Sequence, residues 1–436
     1  MKIKYFDFFL LVFFLILCSC SDKDSDDVIY YPYGTIGVNG VVFDIEEDHA
    51  IVINSSRLGD LEDIRIVSEI KKDGKVYPVT KIKDNAFLSK NIKKLTIPSS
   101  IKEIEALAFK GTNVEELYID DLKSWCEIDF KEDRNYSPLT DTSWYQSFAN
   151  PIGENTSLYV GGQLLGDILI LENIERVKMY AFKNLKFDKI IIGKGVRNIE
   201  EKAFYNNGAR EIVLGEDLKA IGSAAFAGSY VEELVIPDYL SDLKVSMAAF
   251  GTGINRVVVP DFNFWIDMES RTGIIGAYYT REARSIDMTS RKSNYDLVIN
   301  GEILKKAVIP GRIKTLTKFG MAFSSVTEII FEEGVEDLNE FSLYRCNSLR
   351  NVKLPSTIKR LDGTTFYGSN EIESIEIENP IPPEIYYNDY FCELNYGFEV
   401  YEDAFWEGCE LIVPQESVEL YKTTYPWSEF KNIRGK

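Results

Sequence analysis

The chain has 436 residues and a formal net charge of −20; 45% of its residues are hydrophobic and 27% are charged. This is the composition of a folded protein with enough apolar side chains for a core, and the acidic balance disfavours nucleic acids and anionic membrane surfaces as partners. Because His49 is the only histidine, a Ser–His–Asp triad or an HExxH zinc site would have to be built on that residue.

The first 19 residues have the pattern of a targeting segment. Lys2 and Lys4 precede an apolar run that ends at Leu17, which is too short to span a bilayer comfortably and is typical of a secretory signal. The run continues as Leu17-Cys18-Ser19-Cys20, which resembles the bacterial lipobox. The resemblance implies cleavage before Cys20 and lipidation of its thiol and new amino terminus; the alternative is an ordinary signal peptide with incidental cysteines.

An acidic segment follows Cys20. It reads Ser-Asp-Lys-Asp-Ser-Asp-Asp and is expected to be solvated. It resembles the export signal by which some Gram-negative anaerobes send lipoproteins to the outer face, and a plain hydrophilic tether is the compatible alternative. A calcium loop is rejected, because Asp27 and Tyr33 stand where such a loop needs Gly and Glu. We therefore expect an exported protein, lipid-anchored in the outer membrane and exposed on the cell surface.

The remaining cysteines are scattered. They form no CxxC pair, so neither a zinc site nor a redox pair is indicated. Cys392 and Cys409 are the closest pair and could form a disulfide in an exported protein, but free buried thiols are expected. We expect no metal and no cofactor. The four cysteines are Cys126, Cys346, Cys392 and Cys409.

Internal repeats predict the architecture. An aliphatic residue is followed five positions later by phenylalanine at Ile82/Phe87, Ile104/Phe109, Val177/Phe182, Ile199/Phe204, Ile221/Phe226, Val245/Phe250 and Leu361/Phe366. We assign Phe323 to the same set with a looser lead-in, and Leu343 to a degenerate anchor position. Adjacent anchors are mostly 22 residues apart and once 24. A short β-type triplet follows each anchor, and proline often ends it, because proline supplies no ladder donor.

A period in the low twenties with one short strand per unit predicts a leucine-rich-repeat solenoid. The expected fold class is a β-rich α/β horseshoe or rod, in which stacking places each phenylalanine on the next and each triplet beside the next. The segment from Ile92 to Phe109, IKKLTIPSSIKEIEALAF, resembles the repeat of BspA-type (treponemal-type) bacterial surface proteins. The resemblance covers about residues 76–377 and a closing unit around 404–430.

Two similar insertions interrupt the repeats. Each begins near a tryptophan, Trp125 or Trp265, and ends in a β-type run through Gly162 or Gly301. We predict a helix that carries a core tryptophan, a loop, and a strand that turns at the glycine. The expected organisation is a signal peptide 1–19, tether 20–27, N-terminal β cap 28–75, repeats 76–120, insertion 121–165, repeats 166–260, insertion 261–304, repeats 305–378, and a C-terminal repeat and cap 379–436.

The middle residue of each triplet is predicted to point to the open face of the sheet. This row is an apolar stripe bordered mainly by charge, which suits a protein, peptide or glycan ligand; the alternative is that β-branched residues simply favour strands. The predicted binding residues are Tyr118, Ile191, Val213, Val235, Val258 and Ile330. The row continues through Thr96, Lys353 and Glu376.

The BspA-type resemblance implies a surface protein of a class linked with adhesion to host matrix proteins and to other bacteria. We expect it to be non-catalytic, because no motif in the sequence predicts catalysis. We expect a protein or glycan partner, membrane contact through the lipid only, no nucleic acid, and a monomer. Two alternatives remain: an accessory carbohydrate-binding or assembly component of an envelope complex, and an enzyme that uses the insertion loops 131–157 or 270–296.

Overall fold

The computed structural model describes residues 28–30, 35–55, 61–132, 148–245, 249–250, 253–272, 294–386 and 408–436. The chain folds as a parallel-strand solenoid with little helix, which confirms the predicted fold class. Each coil contributes one strand to a main face and a shorter strand, usually of two residues, to a second face.

The N-terminal part joins an antiparallel meander to the first parallel coils. Strands β1 to β4 pair in sequence, and β4 then pairs in parallel with β7. On the main face, β5 already pairs in parallel with β8. The elements are β1 (Val28–Tyr30), β2 (Ile36–Val38), β3 (Val41–Glu46), β4 (His49–Ser55), β5 (Leu61–Arg65), β6 (Glu69–Lys72), β7 (Lys75–Ile82), β8 (Asn91–Ile97), β9 (Glu103–Ile104), β10 (Asn113–Ile119), α1 (Leu122–Cys126), β11 (Asp129–Phe130), β12 (Ser157–Val160) and β13 (Gln163–Leu164).

The central part contains two separate main-face sheets. One has the order β14-β16-β18 and the other β20-β22-β23-β24, while β15-β17-β19-β21 forms an uninterrupted sheet on the second face. The elements are β14 (Ile168–Leu171), β15 (Arg176–Val177), β16 (Lys189–Ile192), β17 (Asn198–Ile199), β18 (Glu211–Val213), β19 (Ala220–Ile221), β20 (Glu233–Val235), β21 (Lys244–Val245), β22 (Arg256–Val259), α2 (Phe262–Thr272), β23 (Asp296–Ile299) and β24 (Glu302–Ile303).

The C-terminal part has the longest parallel ladder. Its main-face order is β25-β27-β29-β31-β33-β34, with β26-β28-β30-β32 on the second face. The elements are β25 (Lys306–Ile309), β26 (Thr315–Leu316), β27 (Glu328–Phe331), β28 (Asp337–Leu338), β29 (Asn351–Leu354), β30 (Arg360–Asp362), β31 (Ser374–Ile377), β32 (Glu384–Tyr386), β33 (Glu410–Val413), α3 (Val418–Thr423) and β34 (Asn432–Gly435).

Stacked phenylalanines form the spine of the core. Phe182, Phe204, Phe226 and Phe250 follow one another with ring centroids 5.0–5.3 Å apart and interplanar angles of 7° or less. All four are buried and belong to one hydrophobic cluster that extends from the N-terminal meander to the C-terminal cap. Burying a phenylalanine contributes about 1.5–3 kcal/mol, so a coil too small to form its own core is stabilised by its neighbours.

The assignment of Phe323 as an anchor is wrong. Phe204 donates its backbone N–H to Ala225 of the next coil, and the residue that makes the equivalent bond to Ser342 is Met321. Met321 stands five residues after Leu316 and is fully buried. Methionine can fill this position because its unbranched side chain adapts to an irregular gap.

Phe323 instead occupies the left-handed backbone position two residues after the anchor. Its φ is 61°, and the corresponding residues of other coils are Asn184, Asn206 and Gly228, with φ of 61–82°. Asparagine and glycine tolerate this conformation better than a bulky residue does. The assignment of Leu343 as a degenerate anchor is correct, because its N–H donates to Thr365 in the same register.

The two insertions share one local design. Asp121 and Asp261 each accept a hydrogen bond from a backbone N–H three residues later, at 2.7 and 2.9 Å, at the start of α1 and α2. Trp125 and Trp265 are buried. Each insertion ends in a tight antiparallel hairpin, β12–β13 or β23–β24, and each hairpin terminates a parallel main-face sheet. The two-residue turns take positive φ at Gly161-Gly162 and Asn300-Gly301, as such hairpins require.

The C-terminal cap closes the core with aromatic side chains. Trp427 Nε1 donates to the Pro383 carbonyl at 2.9 Å, and the Tyr421 hydroxyl donates to the Asn379 carbonyl at 2.8 Å. Burial raises the pKa of the Cys346 thiol to about 11 and that of the Cys409 thiol to about 12. Cys126 is likewise a free, buried cysteine, while Cys20 and Cys392 lie outside the described residues.

Candidate binding face

All six predicted binding residues lie on the main face. Along each strand they alternate with buried neighbours, so their side chains point away from the core. Val213 and Val235 are the most exposed, at 39% and 47%, and the other four are half-buried. The residues are Tyr118 on β10, Ile191 on β16, Val213 on β18, Val235 on β20, Val258 on β22 and Ile330 on β27.

The register divides this row into groups. Ile191 lies beside Val213, and Val235 beside Val258. The ladder does not join Val213 to Val235, since β18 and β20 belong to different sheets. The register also adds exposed members that the triplet count left out: Ile170 beside Ile191, and Val308 beside Ile330.

The charged row beside the apolar one is largely neutralised within the ladder. Ion pairs join side chains on adjacent strands at 2.6–3.4 Å, and most of these side chains are substantially exposed. Exposed pairs of this kind contribute at most about 1 kcal/mol each. Their main effect is to hold the carboxylates in place as hydrogen-bond acceptors. The pairs are Lys94–Glu116, Lys189–Glu211, Arg256–Glu233 and Lys306–Glu328.

A tyrosine pair occupies the N-terminal end of the main face. Tyr159 on β12 stacks on Tyr118, with ring centroids 4.4 Å apart and 12° between the planes. The Tyr118 hydroxyl donates to Glu116 Oε2 at 2.8 Å, and this bond, with a smaller effect of desolvation, raises the pKa of Tyr118 to about 12. Tyr159 lies in the first insertion, so the repeat pattern alone does not identify it.

A concavity of this face lies between β18 and β20. Its volume is about 960 Å³, and we call it the tyrosine cleft because Tyr230 and Tyr239 line it with exposures of 69% and 49%. Val213 and Val235 also line it, so the structure brings these two predicted residues to one site. The further lining residues are Arg210, Glu211, Ile212, Leu214, Glu232, Glu233 and Pro237.

The cleft opens where two like charges would meet. In the 22-residue register, Glu233 would stand beside Glu211, and like charges directly opposite each other destabilise strand pairing. Each glutamate instead pairs away from the cleft, Glu211 with Lys189 at 2.6 Å and Glu233 with Arg256 at 2.9 Å. The Tyr239 hydroxyl donates to the carbonyl of Leu214 at 3.0 Å, just beyond the end of β18.

The chemistry of the described residues is that of a binding surface. No group of three or more His, Cys, Asp or Glu side chains among them is placed to hold a metal ion. No helix in the described ranges is long and apolar enough to cross a bilayer. The aromatic rings, valines and fixed carboxylates instead supply apolar contact and hydrogen-bond acceptors, while Tyr230 and Tyr239 lie outside the triplets and are recognised only from the fold.

A family model of the BspA type leucine rich repeat region matches six copies, over residues 75–143, 157–269 and 300–395. These ranges cover more than half of the chain and confirm the resemblance that the repeat motif indicates. A search of curated proteins finds no match.

Solved structures of similar topology include a leucine-rich cell surface protein from Faecalibacterium prausnitzii, with 15% identity, a TM-score of 0.41, and coverage of 82% of this chain and 96% of that one. A leucine-rich repeat protein from Bacteroides ovatus has 15% identity and a TM-score of 0.42, with 95% and 100% covered. The pneumococcal vaccine antigen PcpA has 14% identity and a TM-score of 0.37, with 94% and 99% covered.

Proposed function

The chain belongs to the BspA-type leucine-rich repeat family, and we propose that it is a non-catalytic, lipid-anchored cell-surface protein that binds a macromolecular ligand through its main face. The observation that carries the proposal is the outward row itself. Apolar and aromatic side chains from successive coils stand exposed on one face, while the neighbouring charges are paired within the ladder. Exposed apolar surface of this kind, rimmed by polar groups, marks interaction sites.

Surface display is supported by the sequence before residue 28. A lipid on Cys20, followed by an acidic tether, would hold the solenoid outside the membrane with its main face accessible. The net charge of −20 would keep the protein from lying on an anionic lipid surface.

Protease treatment of intact cells tests the display, and binding assays test the ligand. Brief protease treatment should remove the solenoid from intact cells, and Cys20→Ala should abolish the incorporation of a labelled fatty acid into the protein. Full protection from protease would contradict surface display.

The full-length protein should bind at least one component of a host-matrix, bacterial-surface or glycan array, and no specific binding on any of the three would contradict the ligand-binding role.

An accessory role in an envelope complex is the second candidate, and the tyrosine cleft favours its carbohydrate-binding form. Affinity purification through the tether separates the two roles. Stable envelope partners would support the accessory role, whereas an isolated protein that binds an added ligand would support adhesion.

A further inference from the structure

We propose that the tyrosine cleft, between β18 and β20, is a binding site for a short neutral oligosaccharide. This inference rests on the proposed ligand-binding function and names a site and a ligand class within it. The cleft is a local interruption of the repeat, because the parallel ladder continues on either side of it, from β14 to β18 and from β20 to β23. It is therefore a feature of this chain rather than of every coil.

The size and lining of the cleft suit a small ligand. Its volume of about 960 Å³ lies within the range of ligand pockets, about 300–1,000 Å³. Tyr230 and Tyr239 present large, exposed rings, and Val213 and Val235 add apolar area to the lining. An aromatic ring offers a broad apolar surface together with a polar hydroxyl, which matches the C–H faces and hydroxyl edges of a sugar.

The polar groups of the cleft call for a ligand that both donates and accepts hydrogen bonds. Because β18 and β20 are not paired with each other, the strand edges at Ile212 and Glu233 that other coils use for the ladder face the cleft. A sugar hydroxyl can donate to a carbonyl or carboxylate and accept from an N–H. Lys189 and Arg256 hold the carboxylates of Glu211 and Glu233 from outside the cleft, so these acceptors are fixed before a ligand arrives.

An added peptide strand fits less well. Cα atoms of β18 and β20 approach within 8 Å, whereas a strand inserted between them would need two strand spacings, about 9.6 Å. Acidic saccharides are disfavoured by the net charge of −20, while the carboxylates that line the cleft are offset locally by Arg210, Lys189 and Arg256. A short neutral oligosaccharide avoids both conflicts.

Titration calorimetry on the full-length protein tests the site. The protein is held in lauryldimethylamine oxide micelles, which carry no sugar headgroup. The probes are cellohexaose, maltohexaose and N-acetylated chitohexaose, with hexagalacturonate as the acidic counterpart. At least one neutral probe should bind, and hexagalacturonate should bind more weakly than that probe.

Variants locate the binding. Tyr230→Ala/Tyr239→Ala should weaken binding about tenfold or more through loss of the aromatic contacts. The Tyr239 hydroxyl also donates to the Leu214 carbonyl, so its loss could alter the cleft itself. The single variant Tyr230→Ala, which keeps this bond, is therefore measured beside the double variant and should also weaken binding. Tyr30→Ala, which removes a tyrosine of similar exposure at 65% on β1, should leave binding unchanged.

The outcomes separate this inference from the proposed function. Failure of all three neutral probes to bind, or full binding by the double variant, would overturn the inference. If the same protein still binds a matrix or cell-surface component, the proposed function stands without this site. If it binds neither saccharide nor surface component, both are wrong.

Discussion

Two neighbouring junctions between adjacent main-face strands lie over the same core, but the strands pair at only one of them. Between β16 and β18 the strands pair, and Lys189 meets Glu211. Between β18 and β20, also 22 residues apart, Glu211 would meet Glu233, and the strands separate. Beneath both junctions the phenylalanines stack almost identically, with centroids 5.2 Å apart under the first and 5.0 Å under the second.

The comparison teaches that core stacking does not by itself close the sheet. On the second face, β17, β19 and β21 pair without interruption below the tyrosine cleft. The coils therefore stay stacked while one face opens. The insertions end their sheets differently, because a hairpin covers each ladder end and so protects the strand edge.

The largest effect is expected from breaking the stack that both junctions share. Phe204→Ala should lower the free energy of unfolding by about 3–5 kcal/mol, because it leaves a cavity between Phe182 and Phe226. Denaturant unfolding followed by circular dichroism measures it. Tyr205→Ala, at the exposed neighbouring position, is the matched control and should change stability by less than about 0.5 kcal/mol. A loss at Phe204 no larger than at Tyr205 would contradict the stacked spine.

A smaller effect should distinguish the two tryptophans of the hairpin-covered ends. Trp125 Nε1 donates to the Ala181 carbonyl at 2.7 Å, whereas Trp265 Nε1 is buried without a hydrogen-bond partner in the described structure. Trp125→Phe should therefore cost about 1–3 kcal/mol more than Trp265→Phe, because it gives up a buried hydrogen bond, whereas Trp265→Phe removes a buried N–H that has no partner in the described structure. Parallel unfolding curves of the two variants measure the difference, and equal losses would show that the bond is unimportant.

A charge exchange should close the tyrosine cleft. In the variant Lys189→Glu/Glu211→Lys, the original ion pair is preserved in reverse and Glu233 faces a positive neighbour. Pairing of β18 with β20 should slow amide exchange at both strands and stabilise the protein by about 0.2–1 kcal/mol. Hydrogen exchange followed by mass spectrometry reads out the change.

The control for the charge exchange is Lys306→Glu/Glu328→Lys. It reverses an ion pair at a junction that is already closed, so exchange there should stay the same. Unchanged exchange across β18 and β20 in the first variant would show that charge repulsion does not hold the cleft open.

The smallest effect concerns a closed junction at low pH. Hydrogen bonds from Lys353 and Lys436 lower the pKa of Glu378 from 4.5 to about 2. Since the pKa is lower in the folded state, this stabilisation is present above pH 4.5 and is lost as the pH falls toward 2. For this partly exposed group we expect an effect below about 1 kcal/mol.

Carboxyl NMR titration of Glu378 measures its pKa directly. In the variant Glu378→Gln, the free energy of unfolding of the C-terminal part should change less with pH between 4.5 and 2 than it does in the native protein. A midpoint near 4.5 in the native protein would refute the ion pair. Glu336→Gln, which removes a carboxylate that forms an ion pair with Lys359, provides a comparison with a carboxylate that accepts from one lysine in the described structure rather than from two.

The repeats and outward row were predictable because they depend on local spacing. The five-residue spacing places the phenylalanine anchors, and strand alternation exposes Tyr118, Ile191 and Val213. The wrong assignment of Phe323 came from following residue type rather than spacing, since the spacing selects Met321. The proposed lipid anchor at Cys20 lies outside the described residues and remains a prediction.

The sequence alone determined the coil, its period and the residues that point inward. The reason is that each unit is small and repeats the same apolar side chains, which only stacking of the units can bury. Tertiary structure decided where adjacent coils separate. Tyr230 and Tyr239 lie outside the triplets, and both line the cleft between β18 and β20, where Glu211 and Glu233 would stand side by side in the 22-residue register. An opening between two strands depends on side chains from two adjacent coils. It is therefore a property of the stack and not of any single repeat.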